Sequence, residues 1–554
     1  MSPLAVVGSL FWTAVFSTAL AFATDLNLRK ILARHWKLIL LPLIILILWR
    51  LPVNGRFFHG LEYEDSYVYT VAGRQLLTMS GDGRAQVSAS YSVNVCQIGS
   101  LESCSSWESF PEHFMGYPYA IYSLSRIFGY SPEIGSAANV CAACLSDILI
   151  FCILILLTES TTMATAGAVV LALTPAFGVY GLETSAEPAA NFCVTLCLWF
   201  FIRTIAESEI PWRRVIQWLA FSVALLFSLT IKRENALVVI IFAVAIPLVK
   251  VGAKLTPKAR WILLIGLFAT VSIALASCFQ MGLIATSGSE LKLLKQFPVS
   301  VVGFFGFATS FLSSFFVWRW YAGTAFAVLV GTVVCLKRRG VTLLPLLLLV
   351  SYIAVYAFHI RSYYEMRAGS VTPSAALRFS MTIMSLWAIL AGIGIGAVII
   401  RLPVPALPRF RTVRASGIGL MAGLLAISFF MTKLLRDNMM ADENQSRLQP
   451  AFAALSAAFL ADTAPRFILS LEPLLIQMYG RSDTRVVDLE SFDSDDLDSL
   501  ASSGYLSNAV VINESDRHND ADRARYGSQL RYLRTLPQDV VFQTDSFKIA
   551  ILRP

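Results

Sequence analysis

The chain has 554 residues, of which 56% are hydrophobic and only 14% are charged, and its mean hydropathy is +0.65. Apolar runs of about 20 residues recur along it, which is typical of a helical membrane protein and excludes a soluble globular one. The net charge of +8 does not indicate nucleic-acid binding, because the basic residues form short clusters between the apolar runs. Clusters of this kind are typical of cytoplasmic loops.

The apolar runs predict an all-α polytopic membrane domain, residues 1–433, with about 12 transmembrane helices. The predicted spans are residues 4–23, 38–53, 134–157, 162–180, 188–205, 215–230, 235–250, 261–284, 319–336, 341–358, 378–400 and 415–433. With the basic clusters in the cytoplasm, both termini face the opposite side of the membrane. A further span at Phe297–Phe316 would put the basic stretch "KRRG" on the wrong side, so we predict a re-entrant or interfacial helix there.

Glu64 and Asp65 lie side by side shortly after the second apolar run. Because an ionised carboxylate near the bilayer edge is costly to desolvate, this pair needs an explanation. The two residues are either solvated loop charges or a helix N-cap, or one of them is a general base or a metal-binding carboxylate that faces a cavity in the membrane. The residues alone leave these interpretations open.

The predicted topology places three longer segments outside the cytoplasm: residues 54–133, the loop around 359–377, and everything after about Lys433. The first outer loop holds Cys96 and Cys104. In an oxidising compartment this pair is able to close a small disulfide loop.

The C-terminal segment, residues 434–554, holds about half of all the acidic residues and few long apolar runs. Strand patterns occur in "RFILSLEP", "RVVDLESF", "NAVVINES" and "VVFQTDSFKIAILRP", and helical patterns in "DSDDLDSLASSG" and "DADRARYGSQLRYLRTL". This alternation predicts a small extracytoplasmic α/β domain. No glycine-rich phosphate loop opens either helix, so we expect this domain to support the protein or handle an acceptor.

Several short motifs follow one another in a characteristic order. The acidic dipeptide precedes a Tyr and an Arg, and His-x-x-Gly-Tyr-Pro, Ser-x-Glu and Leu-Thr-x-Lys come later. The motif residues are Tyr69, Arg74, His113, Gly116, Tyr117, Pro118, Ser185, Glu187 and Lys232. In this order they resemble the C-type multi-spanning glycosyltransferases that use polyprenyl-phosphate sugars, which include protein O-mannosyltransferases and lipid A aminoarabinose transferases. The stretch "LSLEPLLIQMYGRSDTRVVDL" also resembles the extracytoplasmic domain of bacterial members.

The sequence differs from the family pattern at one of these motifs. The family usually opens its first outer loop with an Asp-Glu pair, and alignment on Tyr69 and Arg74 puts Asp65 on the Asp position and Ser66 on the Glu position. Glu64 either substitutes from the other side or is not needed. The resemblance therefore implies that Asp65 is the essential carboxylate, with Glu64 as a possible helper.

The resemblance implies transfer of a sugar from a polyprenyl-phosphate donor to an envelope glycan, lipid or protein acceptor. Such transfer needs a carboxylate beside the acceptor hydroxyl, a role that fits Asp65, and cations beside the leaving phosphate. Four cations lie where the predicted topology puts an outer membrane face, and each of them could instead be a snorkelling side chain. They are Lys232, Arg233, Arg361 and Arg378.

The remaining motif residues are candidates for substrate binding. They are Tyr69, Arg74, His113, Tyr117 and Glu187. His113 could instead be an ordinary loop histidine. Glu187 could instead be a residue in the first turn of a helix, where the helix dipole favours a carboxylate. No Asp-x-Asp pair lies near these residues in the sequence, so a nucleotide-sugar metal site is not supported among them. A requirement for a divalent cation stays open.

Two other classes of protein have similar compositions. A lipid-linked glycan flippase or transporter would also have about a dozen spans, but here no internal repeat relates the halves and the charges concentrate at loop edges. A non-catalytic scaffold of an envelope complex is the other alternative. We expect a bacterial inner membrane with the active site on the extracytoplasmic face, because no large lumenal module follows the first outer loop and no retention signal is present.

The first prediction concerns the outer loop. If Cys96 and Cys104 face an oxidising compartment, non-reducing peptide mapping will find them joined in a disulfide. Cys96→Ser is expected to disorder the loop without unfolding the protein. Recovery of both residues as free thiols would contradict the placement of the loop outside the cytoplasm.

Overall fold

A computed structural model describes most of the apolar half of the chain and parts of the C-terminal segment. The described residues are 3–49, 64–79, 90–94, 107–206, 211–235, 238, 241, 312–313, 315–316, 318–364, 378–401, 427–428, 430–434, 468–470, 486–488, 494–502, 504, 506, 510–513, 529, 531–544 and 547–553. They divide into two compact units. The first comprises Met1–Gly60, Phe114–Ala120 and Gly135–Asp437, and the second Leu61–His113, Ile121–Ile134 and Asn438–Pro554. The predicted boundary between a membrane domain and a C-terminal domain near residue 433 stays a prediction.

Helices dominate the apolar part of the chain. In chain order they are α1 (Pro3–Thr24), α2 (Leu26–Leu48), α3 (Glu64–Met79), α4 (Gly116–Phe128), α5 (Ile134–Thr158), α6 (Thr161–Leu173), α7 (Pro175–Tyr180), α8 (Ala186–Ala206), α9 (Pro211–Ile231), α10 (Trp318–Tyr321), α11 (Thr324–Arg338), α12 (Leu344–Tyr364) and α13 (Met384–Arg401). A two-stranded sheet, β1 (Ser90–Asn94) and β2 (Trp107–Phe114), lies between α3 and α4.

Six helical segments in the described part of the chain are long and apolar enough to cross a membrane. They are Val7–Thr24, Leu26–Leu48, Ile134–Thr158, Ala186–Ile205, Trp212–Ile231 and Arg378–Ile400. Five of them coincide with predicted spans. The other, α2, begins well before the predicted span 38–53, because the carboxylate of Asp25 accepts hydrogen bonds from the backbone N–H groups of Asn27 and Leu28 and starts the helix there.

Other predicted spans have a different form or lie outside the described residues. The predicted span 162–180 consists of two helices, α6 and α7, because Pro175 cannot continue the hydrogen-bond ladder of α6. The predicted spans 235–250, 261–284 and 415–433, and the predicted re-entrant helix 297–316, fall largely outside the described part. A total of about 12 spans therefore stays a prediction.

A buried ion pair fixes the turn between α1 and α2 against α8. Arg203 donates from Nε to Oδ2 of Asp25 at 2.7 Å and from a terminal nitrogen to Oδ1 at 3.1 Å. The side chains of Arg203 and Asp25 are 3% and 0% exposed. Because each charge loses its hydration here, the bidentate geometry is what makes the pair tolerable in an apolar environment.

Glycines bring α11 and α13 into close contact. A Cβ atom on Gly394 would lie 1.9 Å from the carbonyl oxygen of Ala327, and one on Gly331 would lie 1.9 Å from that of Leu390. Only glycine fits at both positions, as in the small-residue contacts by which membrane helices approach closely. This packing fixes the position of α13. Arg378 lies just before α13 in the chain.

The described C-terminal residues form a five-stranded mixed sheet in the order β4-β3-β5-β7-β6. The strands are β3 (Ile468–Ser470), β4 (Val486–Asp488), β5 (Val510–Asn513), β6 (Gln538–Thr544) and β7 (Phe547–Leu552). β3 pairs in parallel with β4 and β5, whereas β7 pairs antiparallel with β5 and β6. β3, β4 and β5 each lie within one stretch with a strand pattern. The fourth stretch contains β7 and all of β6 except its first two residues, and α14 (Ser494–Ser502) lies within the first stretch with a helical pattern.

The buried ion pair generates a stability prediction. Asp25→Asn keeps an oxygen for capping α2 but removes the negative charge that pairs with the buried Arg203 guanidinium, and breaking a buried pair in this way typically costs about 3–5 kcal/mol. We expect a clearly lower midpoint of thermal unfolding in detergent, and partial recovery in Asp25→Asn/Arg203→Met, where both charges are gone.

Asp539→Asn is the matched control. It breaks the pair between Asp539 and Arg553, whose side chains are 53% and 63% exposed, and exposed pairs contribute little. The control is expected to unfold at the wild-type midpoint. If the Asp25 and Asp539 variants shift the midpoint equally, the pair does not have the proposed structural role.

Candidate active site

Glu187 lies in the first turn of α8, directly after a tight connection from α7. Two side chains of α5 hold this connection by its carbonyl groups: the Ser136 hydroxyl donates to Leu182, and the Asn139 amide donates to Glu183 and, at 2.9 Å, to Ser185. Because these bonds fix the backbone just before α8, they also fix where the Glu187 side chain begins.

Two cations converge on Glu187. Lys232, which directly follows α9, places Nζ 2.8 Å from Oε1 of Glu187, and Arg378 places Nε 3.3 Å from the same oxygen. The Glu187 side chain is 1% exposed, whereas those of Lys232 and Arg378 are 11% and 19% exposed. The carboxylate is therefore enclosed, while both cations keep a small accessible surface. We call these three residues the ion cluster.

Aromatic rings flank the ion cluster. The ammonium of Lys232 lies 5.1 Å from the ring centre of Phe379 and 5.9 Å from that of Tyr356. At these distances the faces of aromatic rings attract a cation. The rings also keep water from Lys232, which strengthens its attraction to Glu187 and to any other anion that reaches it.

Asn235 anchors the end of α9 beside the ion cluster. Its amide donates to the Ser228 carbonyl at 3.1 Å, and its oxygen accepts from the Tyr352 hydroxyl at 2.8 Å. Asn235 thus joins the end of α9 to α12, the helix that carries Tyr356. These contacts restrict Lys232 to the position from which it meets Glu187.

Tyr117 lies near two buried carboxylates. Burial, together with the charges of Glu183 and Glu187, raises the pKa of Tyr117 well above its ordinary value. The phenol is therefore neutral, and its hydroxyl donates to the carbonyl oxygen of Gly135 at 2.9 Å. The structure thus brings Tyr117, Glu187, Lys232 and Arg378 into one neighbourhood. Their predicted roles at a site stay a prediction.

Four residues of this neighbourhood are absent from the sequence-based candidates. They are Glu183, Asn235, Tyr356 and Phe379. Asn235 follows the charged run "KRE" directly, and Glu183 precedes the Ser-x-Glu motif, so their proximity in sequence was a usable signal. Aromatic residues in apolar runs carry no such signal, because they usually pack in the core or against lipid.

The other candidates that the structure describes lie in the second unit. α3 begins at Glu64, so Glu64 and Asp65 occupy its first turn, where the helix dipole favours carboxylates. Their side chains, and that of His113 in β2, lie outside the described part. Tyr69 is buried, and the guanidinium of Arg74 lies 4.8 Å from the ring centre of Tyr130. The predicted contact of these residues with a substrate stays a prediction.

Four further predicted site residues lie wholly or partly outside the part of the chain that the structure describes. Cys96 and Cys104 are not among the described residues, and for Arg233 and Arg361 the backbone is described but the side chain is not. Within the described ranges, no group of three or more His, Cys, Asp or Glu side chains is arranged to hold a metal ion. The roles predicted for these four residues, and the question of a divalent cation, remain untested.

In the ion cluster, two cations share one carboxylate. The small accessible surface of the three side chains belongs almost entirely to the cations. Lys and Arg side chains of this kind pair strongly with phosphate oxygens. The enclosed Glu187 is held away from the accessible side, which suits it to orient the cations.

No protein-family model and no curated protein sequence matches the chain. In the structural comparison, ArnT from Cupriavidus metallidurans bound to undecaprenyl phosphate aligns with 94% of this chain and 98% of its own, at 12% identity and a TM-score of 0.57. Its apo state aligns over the same shares at 13% identity and a TM-score of 0.58.

The archaeal oligosaccharyltransferase AglB from Archaeoglobus fulgidus, in complex with an inhibitory peptide and a dolichol-phosphate, is also similar. It aligns over 94% of this chain and 74% of its own, at 10% identity and a TM-score of 0.55. Identities this low show a common fold and not a common activity. The C-type glycosyltransferase fold that the sequence motifs resemble is therefore the fold of this multi-pass membrane protein.

Proposed function

We propose that the protein is an integral-membrane glycosyltransferase that moves a sugar from a polyprenyl-phosphate donor to an envelope glycan, lipid or protein acceptor. The observation that carries this proposal is the ion cluster, where Lys232 and Arg378 meet on a buried carboxylate. Two proteins with the same fold have been solved with undecaprenyl phosphate and dolichol-phosphate. A cation pair in this fold is suited to such a phosphate.

At the donor end, the bond between the anomeric carbon and the phosphate oxygen breaks, and its electron pair stays on the phosphate. Lys232 and Arg378 stabilise the charge that develops there, because cations that are already in place need not reorganise during the reaction. Arg233 and Arg361 are further candidates for the same phosphate. The aromatic faces of Tyr356 and Phe379 hold the Lys232 ammonium in place.

At the acceptor end, a hydroxyl oxygen attacks the anomeric carbon and loses its proton. We assign the proton to the carboxylate of Asp65, because its spacing to Tyr69 and Arg74 matches the family motif. Glu64 is a helper or a solvated neighbour. Tyr69, Arg74, His113, Tyr117 and Glu187 are assigned to substrate binding, either directly or through the charged groups beside them. These roles rest on the resemblance and on the chemistry that transfer requires.

The proposal extends to the setting of the reaction. We place the protein in a bacterial inner membrane with its active site on the extracytoplasmic face, where residues 434–554 form an α/β domain that supports acceptor handling. The sugar is a hexose or a pentose. The distribution of basic residues supports the extracytoplasmic placement, and the C-terminal strand pattern supports the α/β domain. The sugar class and the bacterial membrane rest on the resemblance to the family.

Reconstitution tests the function as a whole. Purified protein in liposomes is given a labelled polyprenyl-phosphate sugar and an envelope extract as acceptor source. An enzyme of the proposed type releases free polyprenyl phosphate as the label moves to the acceptor. A flippase would move intact donor across the bilayer without release, and a scaffold would do neither.

Lys232→Ala tests the phosphate end. Loss of a charge-assisted contact to the leaving phosphate is worth roughly 1.5–3 kcal/mol, so donor kcat/KM should fall about ten- to a hundred-fold. The KM for the acceptor should change much less. The matched control is Lys337→Ala, which removes an exposed cation at the end of α11 and should leave the kinetics unchanged. Wild-type donor kinetics in Lys232→Ala would pass the role to Arg361 or Arg378.

Asp65→Asn tests the acceptor end. The substitution preserves size and most hydrogen bonding but removes the base, so the protein should insert and fold while transfer falls about 10²–10⁴-fold. Glu64→Gln, the neighbouring control, should reduce transfer less. The reverse ranking would mean that the motif register is wrong by one residue, and normal rates in both variants would mean that these carboxylates are only solvated loop charges.

A further inference from the structure

Ser380 lies two residues after Arg378, so its position restrains the backbone that carries this cation of the ion cluster. The hydroxyls of Ser380 and Tyr321 share a hydrogen bond of 2.6 Å, and both residues are 0% exposed. A buried hydrogen bond of this kind is costly to break, because water does not reach the site to replace a lost partner. Tyr321 therefore holds the chain just after Arg378.

Tyr321 is itself held firmly in place. The centre of its ring lies 4.9 Å from that of Phe315 and 5.8 Å from that of Trp387. Its carbonyl oxygen accepts a hydrogen bond of 2.8 Å from the Thr324 hydroxyl, and the Trp387 indole donates to the same hydroxyl oxygen at 2.9 Å. Because Trp387 belongs to α13, these contacts fix Tyr321 to the helix that follows Arg378.

The backbone directly after Tyr321 adopts an unfavourable conformation. Ala322 has a φ of 48° and Gly323 a φ of 73°, so both residues lie in the left-handed region. Glycine adopts this region readily, whereas the Cβ atom makes it costly for alanine. Such a conformation persists only where its surroundings enforce it, and it often accompanies a functional site. The chain accepts this strain at the turn that places Tyr321 against Ser380.

We propose that Tyr321 is a positioning residue for Arg378 and acts through Ser380. The inference rests on the proposed function, in which Arg378 meets the donor phosphate. By holding the backbone at Ser380, the Tyr321 hydroxyl limits where the Arg378 guanidinium reaches. Phe379, which lies between Arg378 and Ser380, is restrained in the same way, and its ring centre lies 5.1 Å from the ammonium of Lys232.

A second buried tyrosine supports the other cation in a comparable way. The backbone N–H of Lys232 donates to the Ser228 carbonyl at 3.0 Å, and the Lys232 carbonyl accepts from the N–H of Asn235 at 3.2 Å. The Asn235 side chain donates to the same Ser228 carbonyl and accepts from the Tyr352 hydroxyl. Tyr352 thus acts on Lys232 through one intermediate residue, as Tyr321 acts on Arg378, and it provides a reference for the test.

The competing interpretation is that Tyr321 only stabilises the fold. Loss of its hydroxyl would then lower the amount of active protein, with equal effects on donor and acceptor kinetics whichever cation is present. Positioning instead predicts a loss in use of the donor that requires the Arg378 side chain. Tyr321→Phe separates the two interpretations cleanly, because it removes a neutral group and changes no charge in a neighbourhood that also contains Glu183 and Glu234.

The first experiment uses full-length protein in liposomes with the labelled polyprenyl-phosphate sugar. We expect Tyr321→Phe to lower donor kcat/KM about three- to tenfold, the usual effect of one buried hydrogen bond, and to change the acceptor KM much less. Ser380→Ala should also lower donor kcat/KM, and Tyr321→Phe/Ser380→Ala should fall no further than Ser380→Ala alone. Wild-type donor kinetics in Tyr321→Phe, or equal losses for donor and acceptor, would overturn the proposal.

The second experiment asks which cation the effect requires. In an Arg378→Gln background, Tyr321→Phe should leave donor kcat/KM nearly unchanged, because the guanidinium that it positions is gone. In a Lys232→Ala background, Tyr321→Phe should keep most of its effect, whereas Tyr352→Phe should lose the effect that it has in the wild type. Equal effects of Tyr321→Phe in all backgrounds would contradict positioning. The first experiment decides the question if Arg378→Gln does not fold.

Thr204→Val is the matched control. It also removes one buried hydroxyl, which donates to the Phe200 carbonyl at 2.8 Å, and it should leave the ratio of donor to acceptor kinetics unchanged. A donor-specific loss in this control would mean that any buried hydroxyl has such an effect, and the inference would fail. If the wild-type protein transfers no sugar, the proposed function fails together with the inference. If it transfers sugar and Tyr321→Phe shows no donor-specific loss, the inference alone fails.

Discussion

Desolvated charge is the constraint on which this structure depends. The apolar part of the chain buries ionised side chains where water cannot stabilise them, so each needs a counter-ion in good geometry. The pair of Asp25 with Arg203 and the ion cluster around Glu187 both meet this requirement. Pairing therefore accounts for both of these groups of buried charges.

The two ion pairs differ in what they leave accessible. Asp25 and Arg203 form two hydrogen bonds with each other, and their side chains are 0% and 3% exposed. In the ion cluster one carboxylate is shared by two cations, and only the cations retain exposed surface. The first arrangement is suited to holding helices together. The second leaves part of each cation accessible, which suits the proposed contact with a phosphate.

The sequence alone predicted the elements of this site better than their arrangement. Lys232, Glu187 and Arg378 stand out because charges are rare in apolar runs, and the motif order adds to that signal. That Lys232 bonds to Glu187, 45 residues earlier in the chain, depends on how α8 and α9 pack, and periodicity does not report packing. The contributions of Tyr356 and Phe379 were hidden for the same reason, since an aromatic residue beside a cation looks like any other apolar residue in sequence.

Helix boundaries can likewise be predicted where they depend on nearby residues, whereas helix packing cannot, because it depends on residues far apart in the chain. The break between α6 and α7 was readable at Pro175, and the start of α2 at Asp25, because proline geometry and capping act within a few residues. The close approach of α11 and α13 was not readable, since a glycine in an apolar run indicates close packing only when its partner is known. The proposed function depends on tertiary contacts, which cannot be recognised from local sequence. A lysine next to a membrane helix is common. A lysine held between a buried carboxylate and two aromatic rings has a defined position, and that position is what suits Lys232 to its proposed role at the donor phosphate.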